Sequence, residues 1–288
     1  MKIQTFSIVV GGKECNANCP YCVSKMTGKD YDFDGTINKR NLYKACEFAQ
    51  LSGVSTVLLT GKGEPLLYAA LISKYLDILN EYKFPFVELQ TNGINLPNLD
   101  NICLDEWYNK GLTTVALSCA SWNDDKNREI FSSKYDSLRK YVDILHKHNF
   151  SVRVNCIMMK NYVDDISKVS MFTEKCKDMG VEQFTIRPVC NDIDLQDGTS
   201  EQQKVYKWVD EHRVSYSNKL AINECFNYHA TLLLELAHGA KVYDWEGQNV
   251  SINNCLTRST NPDDIRQLIY FPDGHLYYDW TKRGAIII

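Results

Sequence analysis

The sequence predicts an α/β fold: a partial (β/α)6 barrel of parallel strands, followed by a short C-terminal extension containing a β-hairpin. Two observations predict it. Strand-like and amphipathic helix-like segments alternate from Thr5 to Pro188, a pattern that favours a parallel sheet. The segments richest in cysteine and glycine fall just after strand ends, the rim where such folds place their function. A chain of 288 residues, 44% hydrophobic and 24% charged, has the size and balance of one large α/β domain or a barrel with a small appendage.

The first strand, Thr5–Val10, ends at Gly11-Gly12; its apolar run is short and no small-residue cleavage site follows, so it reads as a strand and not a signal peptide. Lys39–Leu51 carries Leu42, Ala45, Cys46 and Ala49 at helical spacing, an apolar stripe that makes Cys46 a core residue. Strands follow at Thr56–Thr60, Phe86–Gln90, Thr114–Ser118, Ser151–Ile157 and Gln183–Pro188, with helices at Leu66–Tyr82, Leu104–Lys110, Tyr135–Lys147 and Asp165–Met179 between them. After Val189 the pattern changes. Cys190–Thr199 is a polar loop, Ser200–Val214 is helical, and Pro272-Asp273-Gly274 between two apolar runs marks a hairpin turn. The expected division is therefore a barrel over 1–189 and an extension over 190–288.

A formal charge of −4 offers no bulk attraction to nucleic acid or to an anionic membrane, and no apolar run approaches transmembrane length. Eleven cysteines without a secretory signal point to a reducing compartment, read as the cytoplasm, with the thiols free or metal-bound.

Cys15-x-x-x-Cys19-x-x-Cys22 follows strand one directly. Three thiolates at that spacing can wrap one face of a [4Fe–4S] cluster and leave one iron without a protein ligand, an open position of the kind at which metals do chemistry. The rival readings are a zinc site or three unrelated thiols; zinc usually takes four protein ligands, and no His lies near this loop. Gly61-Lys62-Gly63-Glu64-Pro65 ends strand two: its glycines admit close backbone approach, and Glu64 offers a carboxylate to a cationic amine or, more plainly, an acidic residue to a helix N-terminus.

Strand parity adds an independent signal. Glu88, Gln90 and Asn92 share one face opposite Val87 and Leu89; Arg153 and Asn155 lie opposite Val152 and Val154; Thr185 and Arg187 lie opposite Phe184 and Ile186. If the apolar faces pack on helices, the barrel interior is polar. Glu88 and Arg153 can then pair internally, and the rim residues Gln90, Asn92, Asn155 and Arg187 are left for a polar ligand or substrate.

The cysteine signature, the Gly61–Pro65 turn and Thr91-Asn92-Gly93, in this order on successive strand ends, resemble the radical S-adenosylmethionine (SAM) superfamily over about Thr5 to Pro188, with Lys62 an extra or substituted residue in its Gly-Gly-Glu-Pro motif. A softer likeness runs to viperin-like and cofactor-biosynthesis members. The resemblance implies that Cys15, Cys19 and Cys22 hold a [4Fe–4S] cluster and that SAM chelates the open iron. Reductive cleavage then gives a 5′-deoxyadenosyl radical that abstracts a substrate hydrogen. It further implies cofactor-binding roles for Glu64, Gly61 and Gly63 at the SAM amine, Tyr21 near the adenine, Ser118 and Asn155 at the ribose or carboxylate, and Arg128 at the carboxylate, an arginine that otherwise reads as a solvated helix-start residue.

Gln90, Asn92 and Arg187 are the candidate substrate contacts, and Cys190 is a weak catalytic candidate as a hydrogen-atom donor, more simply an ordinary thiol. The substrate expected is small and polar, and a one-electron reductant such as flavodoxin or ferredoxin is implied. Rival readings are a peptide- or protein-modifying member (a peptide maturase or glycyl-radical activase) and, in another class, a non-catalytic iron–sulfur carrier or sensor, which would have no need of an amine site at Glu64. Cys190, Cys225 and Cys255 are too widely separated to read as an auxiliary cluster motif.

Overall fold

The computed structural model describes residues 2–27, 31, 33–191, 198–236, 238–253, 264–281 and 283–288. Six strands, β1 (Lys2–Val9), β2 (Thr56–Thr60), β3 (Phe86–Thr91), β4 (Thr114–Cys119), β5 (Ser151–Met158) and β6 (Gln183–Pro188), lie side by side in chain order, each parallel to the next. Between them run α1 (Val23–Met26), α2 (Lys39–Leu51), α3 (Ala69–Tyr82), α4 (Asn101–Asn109), α5 (Asp124–Ile130), α6 (Leu138–Lys147) and α7 (Ile166–Asp178). Consecutive parallel strands with a helical crossover are the partial-barrel pattern, and the sheet is not closed.

Local chemistry sets the helix starts. Asn38, Ser137 and Asp165 precede α2, α6 and α7, and each side chain accepts a backbone N–H from the first turn, at Asn41, Lys140 and Lys168. The Leu42, Ala45, Cys46 and Ala49 stripe of α2 is buried, Cys46 included. Leu66–Tyr82 departs from the expected single helix: Pro65–Tyr68 is a 3₁₀ turn, with α3 beginning at Ala69. Pro65 suits the first position of such a turn, where an N–H would lack a partner anyway.

The two faces of the sheet divide as strand parity requires. Phe184 of β6 meets Phe172 of α7 with ring centroids 4.7 Å apart, so even positions of β6 face the helices. Odd positions face the lumen, where Gln183 accepts a bond from the Arg153 Nε at 2.9 Å and Arg153 pairs with Glu88 at 2.8 Å. The expected internal ion pair therefore exists.

The C-terminal segment forms α8 (Ser200–Glu211), α9 (Tyr216–His229), β7 (Thr231–Glu235), β8 (Lys241–Trp245), β9 (Gln248–Ile252), β10 (Asp264–Tyr270) and β11 (Leu276–Tyr277). Thr199 and Gln202 cap α8 reciprocally. The β10–β11 hairpin turns where Pro272-Asp273-Gly274 predicts, with Asp273 accepting the His275 N–H at 3.0 Å. These strands join the barrel sheet at both edges, β10 parallel to β1 and β9 parallel to β6, giving the order β11-β10-β1-β2-β3-β4-β5-β6-β9-β8-β7. The β7–β8–β9 meander is an addition to the sequence reading. Its β8–β9 turn, Glu246-Gly247, has both residues at positive φ, the conformation two-residue hairpins favour.

Candidate active site at the rim of the sheet

β1 runs into Gly11-Gly12 and a loop, 13–22, whose last residue Cys22 opens α1. Cys15 is exposed, while Cys19 and Cys22 are half-buried. The loop is tight: the Cys22 N–H donates to the Cys19 carbonyl at 3.3 Å, and the Asn18 N–H donates to the Phe131 carbonyl at 2.9 Å. Burial pushes the Cys19 thiol up to about 12, assisted by the nearby thiols of Cys22 and Cys15. Burial also raises Cys15. The three sulfurs thus share one electrostatic neighbourhood. Among the described residues no three His, Cys, Asp or Glu stand close enough to ligate a single metal ion. A cluster distributes its thiolates over separate irons, so three thiols spaced around one loop fit a cluster.

The Gly61–Pro65 turn is built against this loop. The Glu64 N–H donates to the Glu14 carbonyl at 2.9 Å. A Cβ on Gly63 would fall onto the Glu14 backbone, so the close approach that Gly63 permits is to the cysteine loop. Glu64 is 3% exposed. One oxygen accepts from the Thr91 hydroxyl at 2.5 Å and the Leu66 N–H at 2.9 Å, and the other accepts from the Asn92 N–H at 3.0 Å. Burial raises its pKa, and these three bonds oppose the rise. Asn92 sits at the rim as a strut: its amide donates to Asn16 at 2.8 Å and its oxygen accepts the Ile94 N–H at 2.9 Å. Lys62, the extra or substituted residue of the glycine motif, is buried and donates to the Thr27 carbonyl at 3.1 Å. The ends of β1, β2 and β3 are therefore tied into one block.

Across the rim, Ser118 and Asn155 are paired in register on β4 and β5. Neither side chain makes a hydrogen bond among the described residues. Arg187 lies at the end of β6; its Nε is closed from solvent without a hydrogen-bond partner among the described residues. Tyr21 is buried, its ring 5.9 Å from that of Trp208 on α8, and its hydroxyl is likewise unpartnered. Burial raises its phenol well above the ordinary value, with Arg187 close enough to oppose the shift. Gln90 is drawn down to Glu88 by a 3.0 Å bond.

Arg128 stands apart from this constellation: its guanidinium bonds the carbonyls of Tyr135 and Asp136 at 2.9 and 2.6 Å and pairs with Asp125. Cys190 follows β6 at the rim, Cys225 lies on α9 beside a separate cleft against α7, and Cys255 falls outside the described residues. A cleft of about 470 Å³ flanks the cysteine loop, between Asn18, Pro20 and Lys25 on one side and Ser200, Lys204 and Trp208 of α8 on the other.

Several residues of this block escaped the sequence reading. Asn127, fully buried, accepts the Ala120 and Ser121 N–H groups and donates to the Ser121 carbonyl, shaping the loop after β4. The Glu14–Tyr68 pair braces the motif loops, together with Asn16 and with Thr91, which the sequence marks only as part of Thr91-Asn92-Gly93.

The sequence profile of the Radical SAM superfamily matches residues 9–169. That is more than half of the chain and includes the three cysteines and the Gly61–Pro65 turn, and the chain belongs to this superfamily. Among curated protein sequences none matches it. Solved structures agree on the fold. Streptococcus suis SuiB bound to S-adenosylmethionine superposes with a TM-score of 0.61 at 12% identity, over 96% of this chain and 60% of SuiB. The enzyme anSMEcpe with bound AdoMet gives 0.57 at 14%, over 98% of this chain and 75% of that one. Methylornithine synthase (PylB) gives 0.53 at 13%, over 77% and 62%. The chain thus spans about three-fifths of the length of SuiB. Superfamily membership makes the protein an enzyme whose cofactors are a [4Fe–4S] cluster and SAM, which removes the non-catalytic carrier from consideration. Among the described residues no helix is long and apolar enough to cross a membrane.

Proposed function

We propose that this enzyme abstracts a hydrogen atom from a small polar substrate held at the mouth of the partial barrel. The observation that carries the reading is the Arg187 Nε at the rim, closed from solvent and without a hydrogen-bond partner among the described residues. Buried polar groups ordinarily have partners, so this one favours a ligand that supplies one.

Cys15, Cys19 and Cys22 would hold the cluster. The bound cluster and SAM supply reductive sulfonium cleavage and 5′-deoxyadenosyl radical chemistry. Glu64, braced by Thr91 and Asn92, presents a fixed carboxylate with acceptor capacity to spare for the SAM amine. Ser118 and Asn155, adjacent in register, offer hydroxyl and amide groups to ribose or carboxylate oxygens. Tyr21, buried and packed on Trp208 of α8, would help keep water from the cysteine loop. Exposed Cys15 and the cleft lined by Lys25 and Lys204 give a one-electron donor such as flavodoxin or ferredoxin an approach to the cluster.

A peptide or protein substrate is the second reading. It draws on β7, an edge strand exposed at all five residues including Leu232, Leu233 and Leu234, to which an extended peptide can add as a further strand.

The test is anaerobic reconstitution with iron and sulfide, followed by SAM and dithionite. 5′-Deoxyadenosine should form slowly without substrate and faster with the right small molecule. Acceleration by peptides alone would favour the second reading, and no 5′-deoxyadenosine under any condition would refute both.

A further inference from the structure

Resting on the small-substrate reading, we infer that the substrate presents an oxyanion, a carboxylate or phosphate group, to Arg187.

Among the described residues, the lumen-facing positions of β5 and β6 carry two arginines, Arg153 and Arg187, and they differ in one respect. Arg153 is neutralised: Glu88 pairs with it at 2.8 Å and Gln183 accepts its Nε–H at 2.9 Å. Arg187 stands four residues beyond Gln183 on the same face of β6, roughly 13 Å nearer the rim at about 3.3 Å per residue. It makes no hydrogen bond or ion pair among the described residues, although its Nε is closed from solvent. A guanidinium offers five N–H donors, no acceptor and a fixed positive charge, so an acceptor completes it and an anion also meets its charge.

The carboxylate of SAM is a poor occupant. Its amine and carboxylate share one carbon, and the carboxylate that can receive the amine, Glu64, follows β2 and is bonded to β3. β3 and β6 are three strands apart, on the order of 14 Å along the sheet at about 4.8 Å per strand. That separation favours a ligand other than SAM at Arg187, and the SAM affinity of Arg187→Met distinguishes the two.

The experiment uses the reconstituted holoenzyme with SAM, melted in sodium phosphate, sodium acetate or sodium chloride at equal ionic strength. A higher melting temperature than in chloride is expected with one or both oxyanions: phosphate alone assigns a phosphate group, acetate alone a carboxylate. The increment should vanish in Arg187→Met and partly survive in Arg187→Lys, which also controls for folding. SAM affinity by equilibrium dialysis should stay within twofold in Arg187→Met. No increment in wild type, an increment unchanged in Arg187→Met, or a tenfold loss of SAM affinity in that variant each overturns the inference. 5′-Deoxyadenosine formation by the wild type tests the underlying reading separately, since it needs neither anion.

Discussion

Gly63 has no side chain where the backbone of Glu14 leaves room for none. Two loops from adjacent strand ends, one carrying the cysteines and one carrying Glu64, are thereby held in direct backbone contact, and the Glu64 N–H to Glu14 carbonyl bond at 2.9 Å seals it. A motif glycine that invites explanation by a ligand is explained first by its own protein.

Gly63→Ala should accordingly force the loops apart. The expected result is a loss of about 1–3 kcal/mol of stability, the range for overpacking a rigid site, with incomplete iron incorporation. Gly61→Ala, whose added Cβ would meet the Gly63 carbonyl at 3.0 Å and the Pro65 ring at 3.2 Å, should be milder. Urea melts and iron-to-protein ratios of the two variants check the order.

Cys19→Ala should abolish the brown absorbance of the cluster and SAM cleavage together. In metal-free wild type, the Cys19 thiol, with a pKa near 12, is almost wholly protonated at pH 8 and should alkylate slowly with iodoacetamide, after exposed Cys15. Mass spectrometry of a labelling time course reads this order; early labelling of Cys19 would contradict the buried placement.

Glu64 gives a pH dependence with a definite sign. Burial raises its pKa, so protonation begins at a higher pH than for an exposed glutamate. A protonated Glu64 no longer attracts an ammonium group. SAM affinity should therefore fall as pH is lowered through the raised pKa and recover above it. In Glu64→Gln affinity should be lower by about tenfold, near 1.4 kcal/mol, and flat over the same window. Equilibrium dialysis across pH checks both.

The Glu88–Arg153 pair should be structural. Glu88 is 2% exposed, and removing it as Glu88→Ala leaves a half-buried guanidinium uncompensated, a loss of about 3 kcal/mol in stability. Replacing both partners, Glu88→Met with Arg153→Met, should recover much of that loss. Chemical denaturation of the single and double variants decides it.

Legibility followed the range of the interactions. The six parallel strands and the α2 stripe were readable because side-chain period is a local property: Val87 and Leu89 must point away from Glu88 whatever the fold around them. The hairpin at Pro272-Asp273-Gly274 was readable for the same reason. The β7–β8–β9 meander was not, because every residue of β7 is exposed and no alternation of apolar and polar positions marks it. Arg128 was ambiguous in sequence because its partners, the Tyr135 and Asp136 carbonyls, are set by a turn that its own helix does not encode.

The sequence by itself determined the chemistry: three thiols with one loop to hold them, a glycine–glutamate turn after the next strand, and strands polar on one face. Covalent spacing and strand parity suffice for that. The tertiary structure alone decided which polar groups are already satisfied. Asn92 became a strut to Asn16, Gln90 was drawn to Glu88, and Arg153 was neutralised, while Ser118, Asn155 and the Arg187 Nε were left without hydrogen bonds among the described residues. Those pairings join residues up to 76 positions apart in the chain. Hydrogen bonding depends on distance in space, and only folding sets that distance.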